Sequence, residues 1–186
     1  MPAVATTTEA GSHEAPATVR VWDPMVRIFH WSLMVSFTAA YISADEWERV
    51  HIKIGYIVAG LVASRAIWGL IGSKNARFTD FIYRPSTVLG FLRDSIAMKA
   101  KRYIGHNPAG GAMVIALLVA ITAISTTGYM MGMDAYWGQE WVEDTHKVIV
   151  YMTLGLVALH VVGVLLASVE HKENLIKSMI TGKKRA

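Results

Sequence analysis

His146-KVIVYMTLGLVAL-His160 is an apolar stretch bounded by two histidines, with Lys147 its only charged residue. As an α-helix its 14 steps rise about 21 Å and fall roughly 40° short of four full turns. Both imidazoles then face the same way, at two well-separated depths. The apolar character continues to about residue 168, long enough for the helix to cross the hydrocarbon core of a bilayer, which takes about 20 residues.

Three more apolar runs lie upstream, at about 24–43, 52–71 and 109–131. Of the 186 residues, 53% are hydrophobic and 17% charged, against about 25% charged in a typical soluble domain. Four near-continuous runs of this length predict an all-α integral membrane protein, a bundle of four transmembrane helices forming one domain. Arg27, His30 and Arg65 interrupt the first two runs. Ionisable groups at such positions belong to the interior of a bundle rather than to its lipid face. The chain has no cysteine, which excludes disulfides, thiolate metal sites, iron–sulfur clusters and covalent haem attachment.

The flanking segments divide the chain further. Residues 1–18 are small and polar without an apolar core, and are expected to be a disordered tail rather than a signal peptide. Residues 19–171 form the membrane domain, and 172–186 a basic tail. Residues 85–104 begin with Pro85 and place Val88, Phe91, Leu92, Ile96 and Ala100 at helical spacing. They predict an amphipathic helix on the membrane surface between spans two and three.

Charge sets the expected orientation. The loop between spans one and two carries Asp45, Glu46 and Glu48 against Arg49; that between spans three and four carries Asp134, Glu140, Glu143 and Asp144. The longer connection between spans two and three is basic, with Lys74, Arg77, Arg84, Arg93, Lys99, Lys101 and Arg102, and the C-terminal segment adds Lys172, Lys177, Lys183, Lys184 and Arg185. Positive residues favour the cytoplasmic side. Both termini are therefore expected inside, and the acidic loops outside. The net charge of +4 follows from these topology signals and contacts with membrane lipid, not from nucleic-acid binding.

That orientation sorts the histidines. His13 falls in the tail and His171 among charged residues after span four. His30 and His160 come to matching depths near the inner side, and His51 and His146 near the outer side. Two pairs of imidazoles, each pair drawn from facing helices, are what two haem irons need for axial ligation. Bis-histidine ligation favours electron transfer over oxygen chemistry because it leaves no open coordination site. Gly55, one turn after His51, leaves room for a porphyrin or for close helix packing. Arg27 shares a face with His30, and Arg65, 14 residues after His51, reaches the inner depth. Each can pair a haem propionate or extend to the interface. For His106, in Gly105-His106-Asn107-Pro108, three roles stay open: an inner ligand, a quinone- or propionate-lining residue, or a part of the helix entry. Met130, Met131 and Met133 near the outer pair are expected to pack rather than to ligate.

Together, Val21-Trp22-Asp23-Pro24 with Arg27-xx-His30-Trp31, His51-xxx-Gly55, Arg65-xx-Trp68-Gly69, Gly105-His106-Asn107-Pro108 and the His146/His160 pair resemble the bacterial cytochrome b561 family. That family includes the b-type cytochrome subunits of nickel–iron hydrogenases. The resemblance spans nearly everything from Val21 to Ser168. It implies a four-helix bundle in the bacterial inner membrane, with His30 and His160 on one haem b and His51 and His146 on the other. It also implies electron transfer between the quinone pool and a redox partner, such as a c-type cytochrome. The alternatives are a quinone reductase oxidising a small external donor, a haem-free histidine relay or transporter, and an anchor subunit. Oligomeric state stays open, a homodimer included.

Overall fold

The structure is a computed structural model that describes residues 17–186. The disorder expected over residues 1–18 therefore lies, for 1–16, outside the described residues. Four long helices dominate: α1 (Pro24–Ser43), α2 (Glu48–Ile71), α4 (Pro108–Met131) and α5 (Glu140–Glu170), with a shorter α3 (Pro85–Ile96) between α2 and α4. All four long helices are apolar enough to cross a membrane. At 31 residues, α5 is about 46 Å long, so it projects beyond an apolar core about 30 Å thick.

The start of each hairpin is written in the sequence. Asp23 caps α1 by accepting the Val26 N–H at 2.8 Å, and Asn107 caps α4 by accepting the Gly110 N–H at 2.6 Å. Each is followed by proline at the first helical position, where its missing N–H costs nothing and its fixed φ suits the helix. α2 begins at Glu48 and α5 at Glu140, four and five residues earlier than hydropathy alone predicts. Glu48, Glu140 and Glu143 in these first turns are polar to a hydropathy count, yet favourable at a helix N-terminus.

α1 packs on α2, α4 packs on α5, and the two hairpins meet through α2 and α4. Val58 and Val62 of α2 and Ile121 of α4 form the buried core of that seam, with Leu33, Ile54 and Leu118 around it. By contrast, neither α1 nor α2 packs extensively on α5. The outward surfaces stay apolar: Leu70 and Ile71 are 73% and 74% exposed, a pattern that needs lipid rather than water as its solvent.

The segments outside the spans differ from expectation in two places. The amphipathic helix expected over 85–104 ends at Ile96, and Met98 takes a positive φ of 54°. Residues 97–107 then wrap as irregular chain. Residues 172–186, expected as a tail, fold back: α6 (Leu175–Thr181), capped by Asn174, is followed by β2 (Lys183–Arg185). β2 pairs antiparallel with β1 (Thr18–Arg20), with Val19 opposite Lys184. The turn into β2 is Gly182 at φ 77°, whose carbonyl accepts the N–H groups of Val21 and Trp22. A Cβ there would lie 2.7 Å from the Trp22 carbonyl oxygen, so position 182 requires glycine on two counts. The described chain thus closes on itself at one end of the bundle, the terminal end. The α1–α2 and α4–α5 loops form the other, the loop end.

Candidate functional site

At the loop end, His51 of α2 faces His146 of α5, with ring centres 6.3 Å apart. His51 Nδ1 lies 2.8 Å from the Ala40 carbonyl oxygen on α1. A carbonyl can only accept, so Nδ1 carries the proton and the Nε2 lone pair is free. His146 Nδ1 lies 3.0 Å from Thr127 Oγ1 on α4. The Thr127 hydroxyl itself reaches the Ala123 and Ile124 carbonyls at 2.9 and 3.1 Å. With that proton on a carbonyl, Oγ1 can accept from His146 Nδ1–H. Each imidazole of this pair thus meets, at Nδ1, an oxygen of a neighbouring helix.

Toward the terminal end, His30 of α1 faces His160 of α5 with ring centres 6.5 Å apart. His30 also meets the edge of Trp31 at 5.3 Å, and its Nδ1 is buried without a hydrogen-bond partner. Each pair spans the gap that the helices leave open beside α5. A metal bound to imidazole nitrogens at about 2 Å on each side would separate two ring centres by about 6 Å. Among the described residues no cluster of three or more His, Cys, Asp or Glu side chains occurs. The donors come in twos, as suits a metal whose remaining ligands are supplied by a macrocycle. The residues present therefore fit haem. At Gly55 a Cβ would meet nothing within 4 Å; this glycine is not a helix–helix contact, and open space lies in front of it.

The other sequence-derived candidates gather at the terminal end. Arg65 is buried, with Nη2 donating to the Ala76 carbonyl at 3.0 Å and its guanidinium 5.1 Å from the centre of the Phe78 ring. Arg65 Nη1 is buried and unpartnered. Arg27 donates through Nη2 to the Ile180 carbonyl, while its Nε is buried without a partner. The ring of His106 sits between Trp22 at 4.6 Å and Phe81 at 4.5 Å, with Nδ1 also orphaned. Burial, reinforced by the charges of Arg65 and Lys184, pushes His106 down to about 3, so this imidazole is neutral at ordinary pH.

The remaining motif residues are structural. Asp23 accepts from Trp68 Nε1 at 3.1 Å and from the Ser73 hydroxyl, beyond its role as cap. Burial alone would raise its carboxyl, but these hydrogen bonds outweigh burial and hold it below the ordinary range. Gly69 lies against the Phe78 ring, and Gly111 against the Phe81 carbonyl. Lys184 is buried over Trp22 at 5.6 Å, and burial lowers its pKa. Arg102 bridges Glu173 at 3.2 Å and also donates to the Arg185 carbonyl. Between α2 and α4 runs a separate groove of about 580 Å³, from Phe78 to Thr127, which none of the histidines lines.

Three residues of the site escape a reading of the sequence: Thr127 and Gly128 of α4, and Thr153 of α5. A Cβ at Gly128 would lie 3.3 Å from His146 Cε1, so the glycine admits the imidazole. Thr153 is fully buried seven residues from each α5 histidine, its hydroxyl donating to the Ile149 carbonyl at 2.7 Å. The available signal was the polar run Ser125-Thr126-Thr127 inside an apolar span.

Four membrane-length helices with two pairs of facing histidines define a helical-bundle membrane protein. The prokaryotic cytochrome b561 family model matches residues 21–182, and the chain belongs to that family. It is 20% identical to a protein of Rhodobacter capsulatus described as a probable Ni/Fe-hydrogenase B-type cytochrome subunit, over 89% of this chain and 80% of that one. A protein of Azotobacter vinelandii with the same description is 22% identical over 88% of this chain and 87% of its own length. No solved structure gives a significant match. Membership makes haem b the cofactor and electron transport in a membrane the work.

Proposed function

We propose that this chain carries electrons across the bacterial inner membrane through two haem b groups. His51 and His146 hold one, and His30 and His160 the other. The observation that supports this most is the equality of the two ring-to-ring distances, 6.3 and 6.5 Å, at two depths along α5. When bound, haem supplies a one-electron iron couple. The protein's part would be to offer each iron two imidazole nitrogens from facing helices, to orient those rings, and to keep the sites apart along one helix. α5 is then shared by both sites, while α1 and α2 each complete one.

The basic terminal end faces the cytoplasm under the positive-inside rule, and the acidic loop end faces outward. Arg27 and Arg65, each with a buried unpartnered nitrogen, hold propionates of the inner haem. Gly55 lets the outer macrocycle approach α2. The redox partner docks at the loop end, near His51 and His146, and its docking face is basic to match the acidic loops. The descriptions of the two relatives point to a hydrogenase as the partner class, with a c-type cytochrome as the other. Quinone exchanges electrons at the opposite end, the end that holds His106.

Haem-to-protein stoichiometry of the detergent-purified protein tests the ligand set. Two haems are expected for the natural chain, and one each for His146→Leu and His30→Leu. A colourless protein would overturn the haem reading in favour of a histidine relay. Retention of both haems in His146→Leu would overturn the pairing.

A further inference from the structure

We infer that Thr127 is a positioning residue for the outer haem, setting the donor strength of His146. This rests on His146 being an axial ligand, as proposed above. Thr127 sits on α4, a helix that supplies no ligand, yet its Oγ1 is 3.0 Å from His146 Nδ1. The hydroxyl proton is directed to backbone carbonyls of its own helix, 2.9 Å from Ala123 and 3.1 Å from Ile124. Oγ1 is left as an acceptor, already polarised by the bond it donates. Thr127 is only 9% exposed, and the groove it borders between α2 and α4 is lined mainly by apolar side chains. Gly128, next in sequence, leaves the ring its place: any side chain there would press on Cε1.

A ligating imidazole whose N–H is hydrogen-bonded is more basic and better oriented. A more basic axial ligand stabilises ferric over ferrous iron and lowers the reduction potential of the site. The inner pair is built otherwise. His30 Nδ1 is buried with no partner, and no ring-nitrogen hydrogen bond of His160 occurs among the described residues. One helix thus carries two histidines of different donor strength, and the difference comes from α4.

Thr127→Val keeps the shape of the side chain and removes the acceptor. The expected result, in redox titration of the detergent-purified holoprotein, is that two haems remain bound and one midpoint potential rises while the other stays in place. The haem that shifts is the one lost in His146→Leu. Thr127→Ser, which keeps the hydroxyl, should restore the natural value. Affinity for the outer haem, measured by titrating haem into protein stripped of it, should fall about 10- to 100-fold in Thr127→Val. Unmoved potentials in Thr127→Val, with His146→Leu still losing one haem, would overturn the role of Thr127 alone. Equal shifts in the Val and Ser variants would also overturn it, because the hydroxyl would not be the agent. Retention of both haems in His146→Leu would instead overturn the ligand assignment beneath it.

Discussion

At the scale of single residues, the fold opposes protonation of His106. Between Trp22 and Phe81, and facing Arg65 and Lys184, its imidazole is held down to about 3 from an ordinary 6.5. A histidine pushed down in this way contributes stability that is fully present above the unfolded value and is lost as pH falls toward the folded one. Thermal stability in detergent should therefore decline between pH 6.5 and about 3, and His106→Phe should flatten that limb. An unchanged acid limb in the variant would assign the sensitivity to another group. Arg65 gives a second prediction. Removing the positive charge proposed to hold a propionate of the inner haem disfavours reduction, so Arg65→Met should lower the inner haem's potential and leave the outer one unmoved. A shift confined to the outer haem would place Arg65 at the wrong site. Neither residue's surroundings can be seen in its sequence neighbours. His106 is enclosed by side chains 84 and 25 positions away, and Arg65 by a turn 11 residues on.

At the scale of elements, the caps and the terminal ribbon decide how firmly the bundle is closed. Asp23 serves α1, α2 and the turn after α2 at once, through Val26, Trp68 and Ser73. Asp23→Ala removes a cap and orphans the Trp68 indole N–H, a loss of about 2 kcal/mol. Thermal unfolding followed by tryptophan fluorescence checks it, and a variant as stable as the natural chain would show that Asp23 is not the joint between the hairpin ends. The spans, the helix entry at Asn107-Pro108 and the paired histidines were legible from hydropathy, the Asn-Pro step and loop charge. The early starts of α2 and α5 were not, because acidic residues that favour a helix N-terminus look like loop to a hydropathy count. The C-terminal ribbon was also hidden. Its short strand is polar, and it becomes a strand only by pairing with residues about 165 positions earlier.

At the scale of the whole molecule, the two ends differ in charge. Arg27, Arg65 and Lys184 lie at the terminal end, where they meet Ile180, Ala76 and Trp22, whereas the loops beside His51 and His146 carry Asp45, Glu46, Glu48, Asp134, Glu140, Glu143 and Asp144. Lys147, beside His146, is paired with one of these carboxylates, Glu143, at 2.6 Å. Positive surroundings favour the reduced form of a site and negative surroundings the oxidised form. The outer haem should therefore have the lower potential, so that electrons run downhill from the loop end to the terminal end. Redox titration of the natural protein beside His146→Leu identifies which potential belongs to which site, and the reverse order would overturn this prediction.

The sequence by itself determined the four spans, their expected orientation and the four histidines in two pairs. Helical period, apolar length and loop charge are local quantities that need no knowledge of neighbours. It also carried the family resemblance that the family match supports. Only the tertiary structure decided that the rings of each pair face each other at similar distances, 6.3 and 6.5 Å, between α5 and another helix. It alone supplied Thr127 and Gly128 from a helix without ligands, the burial of Arg65 against Ala76 and Phe78, the place of His106 between Trp22 and Phe81, and the ribbon joining Thr18–Arg20 to Lys183–Arg185. Those facts depend on which surfaces meet, and hydrogen bonds and packing between distant segments have no period to be read along the chain.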